Sequence, residues 1–92
     1  MYGVIGQVKI DPARGDEAEK MLHEQVIPMV KQAPGFVTAH WLRSDDGASG
    51  YSMIIFESEA DARKAVESVQ PPPGDTPVTP VRFEAMRVVG QA

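Results

Sequence analysis

The 92-residue sequence contains no cysteine and no asparagine. Without cysteine the chain has no disulfide, no thiolate nucleophile and no cysteine-ligated metal site. Its two histidines, His23 and His40, lie on unrelated segments and do not supply the three converging protein ligands of a zinc site. We therefore expect no metal centre.

Positive charge and long apolar runs are also scarce. Nine basic residues stand against 13 acidic ones, for a net charge of −4, and the basic residues are scattered. Because phosphate binding needs clustered lysine and arginine, nucleic acid is not an expected partner. No apolar run approaches the ~20 residues that cross a bilayer, and the first ten residues lack the features of a signal peptide. We expect a cytoplasmic protein with no membrane partner.

The apolar pattern predicts the element order β-α-β-β-α-β. Alternation predicts a strand over Tyr2–Ile10. Helical spacing predicts a helix that begins at Gly15 or Asp16, runs to Ala33 and is kinked at Pro28, which lacks a backbone N–H.

The second half of the chain contains a helix and a strand separated by prolines. A capping-box pattern predicts a helix over Ser58–Val69. The stretch Gln70–Pro80 contains five prolines and is expected to be a stiff, extended connection. The final strand is predicted over Val81–Val89.

A hairpin is predicted over Pro34–Phe56, with a two-residue turn at Asp46-Gly47. This turn fixes the pairing, and the pairing fixes which side chains share a face. One face then carries Val37, Ala39, Trp41, Arg43, Ser52, Ile54 and Phe56. The other carries Phe36, Thr38, His40, Leu42, Tyr51, Met53 and Ile55. His40 and Trp41 therefore cannot line the same cavity.

These elements predict one α+β domain over residues 1–92, a ferredoxin-like sandwich. Its four-stranded antiparallel sheet would carry both helices on one face. The hairpin residues are apolar on both faces, so the uncovered face would be larger than the apolar patches of most soluble monomers. The simplest cover is a second copy of the sheet, which predicts a homodimer with an enclosed space between the sheets. A ferredoxin-like RNA-binding domain is disfavoured by the acidic charge.

Several motifs resemble the dimeric α+β barrel superfamily and, within it, the antibiotic biosynthesis monooxygenase group. They are the short opening strand, the acidic helix with its late Pro28, Pro34-Gly35-Phe36 before the second strand, and the junction Phe56–Asp61. The resemblance implies a homodimer. It also implies a small aromatic ligand, with cofactor-independent oxygenation as one activity of the group. It does not single out one reaction, because the superfamily includes haem-degrading enzymes, isomerases and other proteins.

The resemblance also suggests site residues. In the haem-degrading branch a cavity-facing tryptophan stands where this chain has Phe56, an asparagine stands at Gln7, and a histidine on the second helix binds iron. The segment Ser58–Val69 contains no histidine, so we expect neither haem degradation nor any cofactor. The oxygenases use asparagine, tryptophan, tyrosine and arginine, a set that this chain cannot reproduce intact. The positions that remain as substrate-binding candidates are Gln7, Trp41, Arg43, Ser52 and Phe56.

The resemblance at position Phe56 also predicts which face of the sheet points toward the second copy. If Phe56 points into the space between two sheets, then Ile5, Gln7, Trp41, Ser52 and Ile54 point there too. Met53, Ile55 and the even-numbered residues of the first strand would then pack under the helices.

The candidates also have structural interpretations. Trp41 is favoured as an interface anchor over a substrate platform. Arg43 is expected to be solvated, His23 to lie on the surface and His40 to be a partly exposed structural residue. Gln7 could equally hydrogen-bond its neighbours.

Two functions follow from this sequence. The first is a homodimer that binds a small hydrophobic or aromatic molecule between its sheets and acts as a cofactor-independent monooxygenase. The alternative is a non-catalytic dimeric binding or structural module of the same fold. The sequence assigns no catalytic residue.

Overall fold

A computed structural model describes residues 1–69 and 74–92 of the chain. The strands are β1 (Tyr2–Ile10), β2 (Phe36–Arg43), β3 (Ser49–Phe56) and β4 (Val78–Arg87). The helices are α1 (Gly15–Met21), α2 (Ile27–Lys31) and α3 (Glu59–Glu67), with a 3₁₀ turn at Pro12–Arg14. The predicted element order is confirmed. Within the described part of the chain, no helix is long and apolar enough to cross a membrane.

The four strands form one antiparallel sheet in the order β2-β3-β1-β4. In β2 and β3, Trp41 pairs with Ser52 and His40 pairs with Met53, which confirms the predicted hairpin register from Thr38 to Arg43. The register shifts between Phe36 and Thr38, so Phe36 pairs with Phe56, whereas the prediction put these two residues on opposite faces. In β1 and β3, Val4 pairs with Ile54. This arrangement is the predicted ferredoxin-like α+β sandwich.

The hairpin loop is longer than predicted. Its strands end at Arg43 and restart at Ser49, so five residues connect them. The Gly47 N–H donates to the Ser44 carbonyl at 2.9 Å, and Gly47 itself takes a φ of 76°. The register is preserved because the Ser44 N–H still donates to the Ser49 carbonyl.

A π-helical segment, Leu22–Val26, joins α1 and α2 into one continuous helix, here called the first helix. The Ile27 N–H donates to the Leu22 carbonyl, the wider hydrogen bond of a π-helix. Pro28 follows directly and has no N–H to offer the Glu24 carbonyl. The disturbance predicted at Pro28 therefore takes the form of a π segment just before it.

The C-terminal strand begins earlier than predicted. Val78, Thr79 and Pro80 pair with β1, although the sequence assigned them to the proline-rich connection. Pro80 lies on an edge strand beside an irregularity in the ladder, a position where a missing N–H is tolerated. Residues 70–73 of the predicted connection lie outside the described residues.

The core shows which face of the sheet the helices cover. Val4, Phe56 and Ala62 are buried against one another, and Ile54, Ala65 and Phe83 pack around them. Because Ala62 and Ala65 belong to α3, Ile54 and Phe56 point toward the helices.

Part of the predicted orientation is therefore wrong. Trp41, Ser52, Ile54 and Phe56 share the helix side of the sheet, and Met53 and Ile55 lie on the other side. The predictions for β1 are confirmed, because Val4 packs under the helices while Ile5 and Gln7 lie opposite.

Candidate functional site

A cavity of about 800 Å³ lies between the sheet and the two helical segments that cover it. The sheet supplies its floor, α3 supplies one wall and the first helix supplies the other. Apolar side chains from all three parts line it, among them Val4, Trp41, Phe83, Leu22, Val26 and Ala65. A cavity of this size and character suits a small organic ligand.

Trp41 and Ser52 supply polar groups to this apolar floor. They are direct cross-strand partners, so their side chains stand next to each other on the helix side. Ser52 is 9% exposed, and both residues line the cavity. The indole N–H and the hydroxyl are hydrogen-bond donors, and together they can hold a ligand oxygen.

Gly6 makes room for this arrangement. A Cβ atom at this position would collide with the Phe83 ring and would lie 2.5 Å from the Ser52 Oγ. The absent side chain therefore lets Phe83 and Ser52 approach each other across β1. Gly6 itself is buried and lines the cavity.

Phe56 lies on the same face of the sheet as Trp41 and Ser52, but it belongs to the hydrophobic core. It is 1% exposed and packs with Val4 and Ala62. It is also one of the residues that line the cavity.

Two predicted site residues lie away from the cavity. Gln7 pairs with Tyr51 and Arg82 on the opposite face of the sheet, so the structure does not bring it together with Trp41 and Ser52. Arg43 shares their side of the sheet but lies past the end of the cavity.

Arg43 clamps the hairpin loop to the start of the first helix. Its Nε donates to the Gly47 carbonyl at 3.4 Å, and its Nη1 lies 3.4 Å from a Glu19 carboxylate oxygen. A side chain at Gly15 would overlap its guanidinium group. Because these contacts occupy Arg43, the structure gives no support to its prediction as a substrate ligand.

Phe83, Gly6 and the π segment contribute to the site although the sequence did not predict them there. A glycine inside a strand indicates close approach by another group, and this signal was available at Gly6. The π segment brings Leu22, Gln25 and Val26 to the cavity wall. No sequence signal places Phe83 beside Ser52, because that contact depends on the pairing of β4 with β1.

The fold is shared with several solved structures. MhuD, a haem-degrader from Mycobacterium tuberculosis solved with two haems in its active site, is 18% identical with a TM-score of 0.75, and the match covers 100% of this chain and 99% of that one. HapK from Hahella chejuensis is 15% identical with a TM-score of 0.70, covering 100% and 96%. At these identities the likeness establishes the fold alone. No curated protein matches the sequence.

A third similar structure is a monooxygenase from Streptomyces coelicolor, ActVA-Orf6, in complex with nanaomycin D. It is 21% identical with a TM-score of 0.61, and the match covers 99% of this chain and 89% of that one.

The lining residues do not fit a histidine-ligated haem. His23 is exposed on the π segment, and His40 lies on the far side of the sheet. Neither lines the cavity, and α3 contains no histidine. Within the described ranges, no group of three His, Cys, Asp or Glu side chains is placed to hold a metal ion.

A family-level match covers most of the chain. The antibiotic biosynthesis monooxygenase model matches residues 1–70, which include β1, the first helix, the hairpin and α3. These are the elements that enclose most of the cavity. The chain belongs to the antibiotic biosynthesis monooxygenase family.

Proposed function

We propose that this protein binds a small hydrophobic or aromatic molecule in the cavity between its helices and its sheet, and oxygenates it without a cofactor. The apolar cavity of about 800 Å³ carries this proposal. Trp41 and Phe83 offer ring surfaces, and the Ser52 hydroxyl and Trp41 indole N–H offer hydrogen bonds. Membership of the family supports the oxygenase activity.

In the proposed reaction the substrate supplies the electrons. An activated CH₂ group between aromatic rings would lose two hydrogens and gain one oxygen atom from dioxygen, and the second oxygen atom would leave as water. The anion that forms first would be stabilised by Ser52 and Trp41 in a site that excludes bulk water. Phe56 would help to keep the cavity dry.

Binding can be tested by titrating the protein with nanaomycin D and following the fluorescence of Trp41, the only tryptophan. Oxygen uptake with a panel of polycyclic compounds that carry such a CH₂ group tests turnover. We expect Ser52→Ala to reduce turnover about tenfold or more, because removing one hydrogen bond to a developing anion costs up to a few kcal/mol. Gln7→Ala is the matched control on the opposite face and should leave both measurements unchanged.

A non-catalytic binding module is the second candidate. Among the described residues, those that line the cavity include no histidine, and their only charged members are Asp61 and Lys64 on α3. A site that binds nanaomycin D but consumes no oxygen with any compound of the CH₂-bearing panel would favour this function. Failure to bind any of these molecules would contradict both candidates.

We also propose that all 92 residues form one domain and that two copies assemble through the uncovered sheet face. Leu42, Tyr51 and Met53 on that face are 60%, 44% and 42% exposed. Apolar side chains clustered in this way are typical of an interface. A cytoplasmic location stays a prediction of the sequence.

A further inference from the structure

The rim of the cavity is formed where α3 faces the first helix. Ala62 and Val66 of α3 pack toward the sheet. Asp61, Lys64 and Ser68 line the cavity. Lys64 is exposed and also lines the cavity, which places this residue at the boundary between the apolar interior and solvent.

The two charged residues of this rim are not equivalent. The Asp61 carboxylate accepts a hydrogen bond of 2.8 Å from the Ser58 Oγ, and a side chain at Gly35 would overlap it. Ser58 also caps α3 by accepting from the Asp61 N–H at 3.2 Å. The Asp61 carboxylate is therefore engaged at the start of the helix.

Lys64 has no such engagement. Every aspartate and glutamate of the chain lies within the described ranges, and none of them is within 4.0 Å of the Lys64 ammonium. The other three lysines, Lys9, Lys20 and Lys31, are likewise in no salt bridge, whereas four of the five arginines each pair with at least one carboxylate. Lys64 differs from the other lysines because it lines the cavity. In an acidic protein, this lysine is an unpaired cation beside an apolar cavity.

The opposite rim adds neutral hydrogen-bonding groups. Gln25 of the first helix and Gln32, which directly follows that helix, line the cavity and carry amide donors. No carboxylate of the first helix lines it. The rim therefore offers one positive charge, several donors and a single acid that is already hydrogen-bonded.

We infer that the ligand of this cavity is an amphipathic anion, with an apolar body inside and a carboxylate at the rim bound by Lys64. This inference rests on the proposed function, because it assigns a chemical class to the ligand of the same cavity. An anion at the rim keeps contact with water while its body is desolvated, so its charge does not incur the cost of burial. Lys64 is a positioning and specificity residue in this arrangement, since it contacts the end of the ligand.

Two probes with the same ring system separate the charge from the apolar body. We would measure the affinities of 9-anthracenecarboxylate and 9-anthracenemethanol by isothermal titration calorimetry at low ionic strength. The wild type should bind the carboxylate about fivefold more tightly than the alcohol, the size expected of a partly exposed ion pair. The preference should shrink at high salt, which screens exposed charges.

The lysine is tested with one variant that removes its positive charge and one that keeps it. Lys64→Met should remove the preference and leave alcohol binding within about twofold, whereas Lys64→Arg should retain it. Lys31→Met on the first helix is the matched control, because Lys31 is exposed but does not line the cavity. Equal wild-type affinities for both probes, or a preference that survives Lys64→Met, would overturn the inference and leave the apolar cavity standing. Failure of the wild type to bind either probe would overturn the cavity proposal as well.

Discussion

Gly6 shows how one residue can define the floor of a cavity. It is buried in β1, and its missing side chain is the space through which Phe83 and Ser52 approach each other. A residue with a Cβ atom would displace an aromatic ring and a hydroxyl group together. Both of these groups line the proposed binding site.

We therefore predict that Gly6→Ala lowers the free energy of unfolding by about 1–3 kcal/mol, the usual cost of overpacking. It should also weaken probe binding, because Phe83 and Ser52 must move. Gly3→Ala is the control on the opposite face of β1, where the new atom meets the flexible end of Ile55 at 3.2 Å. Chemical denaturation and calorimetric titration measure the two effects. Equal losses in the two variants would contradict this account of Gly6.

At the scale of elements, the hairpin loop stabilises itself through Asp46. Its Oδ1 accepts from the Ser44 Oγ at 2.6 Å and from the Ala48 N–H at 2.9 Å. These two hydrogen bonds, the one from Ser44 first, lower the pKa of the Asp46 carboxyl below its ordinary value. The charged form is therefore the one that the folded loop favours.

The lowered pKa of Asp46 predicts how the free energy of unfolding changes with pH. A carboxyl group whose pKa falls on folding contributes stability above its unfolded pKa, and loses that contribution as the pH falls through its folded pKa. Asp46→Asn should thus be less stable than the wild type near neutral pH, with the difference closing below about pH 3 to 4. Urea denaturation across pH checks this, with Asp45→Asn as the neighbouring control. A difference that is constant with pH would rule out the charged form as the cause.

In the first helix, one residue determines the local backbone geometry. Pro28 removes a backbone donor, and the π segment before it widens the helix along the cavity wall. The sequence located this disturbance because proline has no N–H. It did not specify the backbone geometry that results, because a kink and a π segment can both accommodate the missing hydrogen bond.

At the scale of the whole molecule, the sheet has one face under the helices and one face with exposed apolar side chains. Met53 lies on the second face beside His40 and near Leu42. The proposed dimer would cover these side chains. A buried charge without a partner at this position would oppose assembly.

We predict that the wild type has a solution mass of about twice the 10.0 kDa of one chain. Met53→Glu should reduce this mass to that of one chain and preserve the circular dichroism spectrum of the fold. Ala60→Glu adds the same charge to an exposed position in the first turn of α3 and should remain a dimer. Multi-angle light scattering makes the comparison, and a monomeric wild type would contradict the proposed assembly.

The sequence by itself determined the element order, the hairpin register from Thr38 to Arg43, and the division of these hairpin strands and of β1 into two sets of side chains. These follow from local chemistry, namely alternation, turn residues and capping groups. Only the tertiary structure decided which set faces the helices. In this hairpin both sets are apolar, so period-two alternation separates Trp41 from His40 without saying which of them the helices cover. Packing of α3 on Val4 and Phe56 makes that choice, and it places Trp41 and Ser52 in a cavity inside the chain while leaving Gln7 on the opposite face.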